Sequence, residues 1–198
     1  MLKTTLHFLA IVIVTPLVVL DLAVKSLGAE TFSSNVQLLS LIPGKSGSFL
    51  RLAYLRCVTP TCNQDAFIGF GTIFSQRETR LGRGIYIGPQ CNIGACSIGD
   101  DTLIASGVHI MSGARQHGTE DLETPIRDQK GVFESVHIGR DCWIGNGALI
   151  MADVGDQCII GAGSVVTKPV PALSVVAGNP ARIIRSRGEQ SSAGEVPS

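Results

Sequence analysis

The stretch Ile138–Arg185, "IGRDCWIGNGALIMADVGDQCIIGAGSVVTKPVPALSVVAGNPARIIR", repeats itself without forming a helical stripe. An aliphatic residue returns at every sixth position: Ile138, Ile144 and Ile150, then, after one short step, Val154, Ile160 and Val166. The residue after it is usually small, as at Gly139, Gly145, Gly155 and Gly161. Four places after it stands another small residue: Cys142, Ala148, Cys158 or Ser164. A period of six matches neither an amphipathic helix nor an alternating strand. It matches a short strand followed by a sharp turn, three of which close one triangular coil of about eighteen residues. The aliphatic side chain then points into the prism and stacks on its counterparts in neighbouring coils. A small residue beside it suits the tight corner, and the position four along faces inward where space is limited.

The same pattern runs upstream through Leu81, Ile87 and Ile93, then Ile98, Ile104 and Ile110. Its inward small positions are expected at Cys91, Ser97, Thr102, Val108 and Ala114. Steps of five (Ile93 to Ile98) and four (Ile150 to Val154) mark tightened corners. Cys91, Cys142 and Cys158 thus read as small hydrophobes, whereas Cys57, Cys62 and Cys96 have no assigned place. Between Ile110 and Ile138 the period fails. Residues 112–137 are polar, charged and aperiodic, with Pro125 inside. A long segment expelled from a solenoid is usually functional. This one holds His117 and His137, with His109 just before it.

The chain has 198 residues, 44% hydrophobic and 16% charged, with zero formal net charge. That balance offers no basic field for a nucleic acid. Aromatics are scarce, so the core must come from Ile, Val, Leu and small residues. At the front, Leu6–Leu20 is almost wholly apolar, shorter than the roughly 20 residues of a spanning helix, and Pro16 is expected to kink it. Three readings stay open: a membrane-inserted or interfacial anchor, a secretory signal with Lys3 ahead and Ser26-Leu27-Gly28 as cleavage site, and a helix packed on the domain. Ser48–Cys57 has helical spacing, with Arg51 and Arg56 expected opposite its apolar side. The expected plan is a hydrophobic segment 1–27, a connecting helical region 28–65, a repeat domain 66–185 with loop 112–137 expelled, and a disordered tail 186–198.

The motifs "CWIGNGALI", "IIGAGSVVTK" and "VVAGNPARIIR" resemble those of the hexapeptide-repeat acyltransferases, closest to sugar O-acetyltransferases of the galactoside and maltose type. The resemblance covers about residues 66 to 185. It implies an all-β fold, a left-handed parallel β-helix with the N-terminal extension and a short C-terminal cap. It further implies a homotrimer, with acetyl-CoA as acyl donor in a groove between subunits and no metal. His117 matches the loop histidine that serves as general base, although this loop is about two residues longer than in those enzymes. Asn146 and Ala162 match contacts to the pantetheine arm. Thr167, Lys168 and Arg185 match positions near the adenosine-phosphate end, and Asn92 an acceptor-binding asparagine. The implied reaction is O-acetylation of a sugar or glycan-precursor hydroxyl on the cytoplasmic side, with membrane association through residues 1–27. Glu120 and Asp121 are the nearby candidates to orient His117, and Trp143 is read as a trimer contact. Other small acceptors (an amino sugar, serine or an antibiotic), a metalloenzyme like the γ-type carbonic anhydrases, which use three histidines from adjacent subunits, with His109, His117 and His137 as the nominal set, and a non-catalytic scaffold are the alternatives.

Overall fold

The structure is a computed structural model that describes residues 2–189; Met1, the side chains of Leu2 and Lys3, and residues 190–198 of the expected tail lie outside them. Three helices come first: α1 (Leu2–Ser26), α2 (Phe32–Ser40) and α3 (Gly44–Val58). The first coil follows as β1 (Thr61–Cys62), β2 (Phe67–Ile68) and β3 (Ile73–Phe74). The second is β4 (Arg80–Leu81), β5 (Tyr86–Ile87) and β6 (Asn92–Ile93). The third is β7 (Cys96–Ile98), β8 (Leu103–Ile104) and β9 (His109–Ile110). After the expelled segment come β10 (Val136–Ile138), β11 (Trp143–Ile144) and β12 (Leu149–Ile150). The fifth coil opens with a bridge at Val154 and continues as β13 (Ile159–Ile160) and β14 (Val165–Val166). The last opens with a bridge at Val170, forms β15 (Ser174–Gly178), and turns back as the antiparallel β16 (Ala181–Ser186).

These strands stack in register into three parallel faces, with β16 as the antiparallel edge of the second. The first face is β1, β4, β7 and β10; the second runs from β2 to β15 and ends in β16; the third is β3, β6, β9, β12 and β14. The inward aliphatic residues superpose as the six-residue period requires. Ile68, Ile87, Ile104, Ile144, Ile160 and Val176 form one buried file. Each coil is tied to the next by backbone bonds such as Trp143 N–H to the Cys158 carbonyl (2.9 Å) and Gly145 N–H to that of Ile160 (2.8 Å). Gly145 is needed at its corner, where a Cβ would lie 2.6 Å from the Ala162 nitrogen.

The small inward positions add a second ladder. Thr102 Oγ1 donates to the Gly139 carbonyl (2.8 Å), and Cys142 and Cys158 donate to Gly155 (3.2 Å) and Pro171 (3.0 Å) in the next coil. Cysteine therefore stands where threonine also serves, as a small residue with one donor. At the short corner the sequence expectation was out by one: Cys96 is the inward residue and Ser97 points outward. The five-residue step from Ile93 to Ile98 leaves one residue fewer in the turn, so the position two before Ile98 takes the inward place. Cys62 opens the inward file of the first face, in register with Leu81. Burial pushes the thiols of Cys62 and Cys96 up to about 12. Ala114 is exposed, because it lies in the expelled segment rather than in a coil. That segment ends before Val136, since Val136 and His137 already pair in β10.

The helices cap the first coil. Arg51 is not on a solvated face but buried, because its guanidinium collects carbonyls. It donates to the backbone oxygens of Leu39 (3.0 Å), Ile42 (2.8 Å) and Ile68 (3.0 Å), joining the end of α2 to the first coil. The helix is longer than Leu6–Leu20, since α1 continues past Pro16, which donates no backbone bond, and reaches Ser26. Asp21 of α1 is fully buried and forms a two-pronged pair with Arg77 of the first coil, at 2.7 and 3.0 Å. Thr31 also donates to Asp21 (2.9 Å), and the Arg77 guanidinium lies 4.9 Å from the Phe32 ring centre. Removing one partner of such a pair strands the other charge. Asp21→Ala is expected to lower the unfolding free energy by about 3 kcal/mol, measured by urea denaturation. The double change Asp21→Leu/Arg77→Met should cost less than either single change.

Candidate functional site

The outward residues of the third face form a file in register: Ile73, Asn92, His109, Leu149 and Val165. Asn92 and His109 are exposed and adjacent in that file. Together with Ser75, Ser112 and Gln116 they line a groove of about 280 Å³ where the third face turns toward the first. The expelled segment leaves from this corner. Its two limbs pair at the base, where Val132 N–H donates to the Arg115 carbonyl (2.7 Å) and Glu134 N–H to that of Ser112 (3.0 Å). Arg115 and Glu134 form an ion pair at 2.6 Å beside them.

This base sets the position of His117. Gln116 lines the groove and donates to the Gly113 carbonyl at 3.2 Å. His117, the next residue, is exposed and lines a cleft of about 640 Å³ with Glu120, Asp121, Asp128 and Lys130. Gly131 on the returning limb lies directly against the Gln116 carbonyl and the His117 amide, leaving no room for a Cβ. Asp121 is committed to the loop itself. One oxygen accepts from the amides of Glu123 (2.9 Å) and Thr124 (3.3 Å), and Gln129 bonds its backbone from across the loop (2.6 Å). Bonding with the Thr124 side chain, then with the Glu123 and Thr124 amides, holds this carboxyl below the usual range.

The other sequence-derived positions fall at three places. Asn146 and Ala162 are exposed and stack at one corner, between the second and third faces, where Gly163 N–H donates to the Asn146 carbonyl (2.8 Å). Thr167 and Lys168 are exposed at the far edge of the third face, directly after β14. Arg185 is exposed on β16, in register with Val175, with Nη1 donating to the Ser186 (3.1 Å) and Glu189 (3.2 Å) carbonyls. Arg182, which the sequence reading passed over, is exposed at the other end of that strand opposite Ala177, closer to the Asn146–Ala162 corner. Gln116 and Ser75 were also missed; only Gln116 had a signal, its place beside His117 in the aperiodic segment. Trp143 is 54% exposed in an apolar outward file on the second face, with Phe67, Tyr86, Leu103 and Ile159.

The three histidines considered as a metal set are dispersed. His109 is on the third face and His117 on the loop, while His137 is on the first face with Nδ1 2.9 Å from Ser97 Oγ. Among the described residues no group of three His, Cys, Asp or Glu is placed to hold a metal ion.

Coil, corner ladder and expelled loop together define a hexapeptide-repeat β-helix of the kind found in acetyltransferases. The model of the bacterial transferase hexapeptide family (six repeats) matches residues 135–168. Galactoside O-acetyltransferase of Escherichia coli K12 is 32% identical over 133 residues, covering 63% of this chain and 63% of that protein. Chloramphenicol acetyltransferase of Agrobacterium fabrum is 47% identical over 123 residues, covering 54% and 59%. A solved galactoside acetyltransferase in complex with coenzyme A superposes with a TM-score of 0.67 at 26% identity, over 78% of each chain. The chain spans between 32% and 64% of the length of the curated relatives it matches.

Gly131→Ala should displace the limb that carries His117 while leaving the coils intact. The expected result is an unchanged melting temperature, with faster protease cleavage within residues 112–135.

Proposed function

We propose that this protein is an acetyl-CoA-dependent O-acetyltransferase acting on a sugar or glycan-precursor hydroxyl. The observation that carries the reading is the single large break in the coil. It puts His117 on a loop rooted at the rim of a groove lined by Asn92, His109 and Gln116. The name of the galactoside enzyme and the coenzyme A complex of its structural neighbour support the donor and the acceptor class.

In this reading the acceptor hydroxyl lies in the groove near Asn92, and His117 takes its proton as the oxygen attacks the thioester carbonyl. Imidazole suits the task because its unperturbed pKa is near neutrality. The C–O bond forms, a backbone N–H steadies the oxyanion, and the C–S bond then breaks. The thiolate of CoA leaves and the imidazolium returns the proton to it. The donor arrives activated, so no acyl-enzyme is needed and the cysteines take no part. Asn146 and Ala162 form the shelf for the pantetheine arm. Thr167, Lys168 and Arg185 are assigned to the phosphate end, where cations suit the charge. The donor places the enzyme on the cytoplasmic side, and α1 associates it with the membrane. A homotrimer is the assembly this reading requires, with the apolar file around Trp143 covered by a neighbouring copy.

His117→Ala is expected to lower kcat for acetyl transfer to a saccharide hydroxyl, followed as released CoA thiol, by about 10²- to 10⁴-fold. CoA affinity by calorimetry should be unchanged; full turnover in this variant would remove the base assignment. Trp143→Lys should convert the trimer to monomer in light scattering at micromolar protein, and CoA binding should fall with it.

A further inference from the structure

α1 is apolar on every side, yet only one side is covered. Its covered file is His7, Ala10, Val14 and Asp21, spaced by three, four and seven along the helix. On the opposite side Phe8, Leu9, Val12, Ile13, Val19 and Leu20 are each at least half exposed. Between Thr4 and Val24 the only Asp, Glu, Lys or Arg is Asp21, and that is buried. A helix on a protein surface normally shows a polar face to water, so this second apolar side has an occupant.

Length and charge favour lipid over a second copy. The apolar stretch Thr4–Ser26 has a mean hydropathy of 2.4 over its best window, long and apolar enough for a bilayer. Exposed lysines stand near both ends: Lys25 in the last turn, and Lys45, which lines a cavity with His7 near the first turns. Cations at both ends of an apolar strip suit the anionic headgroups that border a helix lying in the surface of one leaflet.

The packing argues against a crossing. α3 lies against α1, with the His7 and Phe49 rings 4.8 Å apart, and Asp21 is clamped to Arg77 of the first coil. If α1 crossed the bilayer in this arrangement, it would draw Lys45 and the buried ion pair toward hydrocarbon, where charges are costly. Lying in the plane incurs no such cost.

We propose that α1 is an in-plane seat on an anionic lipid bilayer, with its Phe8–Leu20 side sunk among acyl chains and its other side locked to the coil by Asp21–Arg77. This rests on the membrane association read above and sharpens it, and it is independent of the acyl-transfer chemistry. Arg77 follows Ser75 of the candidate groove by two residues. The seat and the groove are therefore built on the same corner of the first coil.

Two experiments on the full chain test this. In a Cys57→Ser background, Thr4→Cys and Ser26→Cys are labelled with a membrane-impermeant maleimide in inverted and right-side-out vesicles from expressing cells. Both positions should label from the same, cytoplasmic, side. Labelling from opposite sides, or of either position from neither side, overturns the seat. Separately, flotation with 3:1 phosphatidylethanolamine–phosphatidylglycerol vesicles is compared for wild type and Leu9→Lys/Ile13→Lys/Val19→Lys. Wild type should float and the variant should fall at least tenfold, with CoA affinity the same in both. A variant that still floats overturns the proposal. So does a wild type that stays with the buffer as a larger oligomer which the variant dissociates, since a second copy then covers the face. Loss of CoA binding in wild type would count against the acyl-transfer reading alone.

Discussion

Each coil of this protein satisfies its backbone on the coils above and below it. The amides of Trp143 and Gly145 reach the carbonyls of Cys158 and Ile160, and those of Leu103 and Ala105 reach Cys142 and Ile144. A strand two residues long has no stability alone. It exists here because identical neighbours stack on it in register, so that stability is shared between adjacent repeats. Every other feature is a consequence of keeping that ladder unbroken. Aliphatic residues return at the sixth place, corner residues stay small, and the thiols of Cys142 and Cys158 spend their one donor on the next coil.

Against this regularity, an insertion can leave the prism only at a corner, where the ladder is not cut. Residues between Met111 and Val136 do so. Ile110 and Ile150 still stack in register across the insertion, as do Ile98 and Ile138. The prism therefore tolerates a long, polar, internally bonded loop and holds its base firmly through Arg115–Glu134 and the paired limbs. A regular wall with one long projecting loop is an arrangement in which functional residues commonly sit on the loop. The wall presents outward residues such as Asn92 and His109, and the loop carries His117.

The ends of the stack are solved differently. At the C-terminal end β16 folds back and covers the last parallel strand. At the front, where β1 to β3 expose their edges, three helices close the stack. Arg51 gathers carbonyls from the end of α2 and from Ile68, and Asp21–Arg77 fixes α1. Both are buried charged contacts in a domain otherwise built from Ile, Val and small residues. They fix the orientation of the helices in a way that apolar contact, which is non-directional, does not.

What the sequence alone determined was the coil. The six-residue period named the inward residues from Leu81 to Val166, and its failure marked the loop with His117. Periodicity is a local property, and each repeat reports it independently. Where the period shortens by one, the inward place falls on Cys96 rather than Ser97, because it is set by the distance back from Ile98 and not by the distance forward from Ile93. The tertiary structure alone decided the burial of Arg51, whose partners are 9 to 17 residues away, and of Asp21, whose partners are 10 and 56 residues away. It alone assembled the groove, since Ser75, Asn92 and His109 come from three successive coils and Gln116 from the expelled segment, and they share no motif. Side chains that meet only across stacked coils leave no mark on the spacing of either, and so the wall was legible in the chain while the corner that gathers the candidate groove was not.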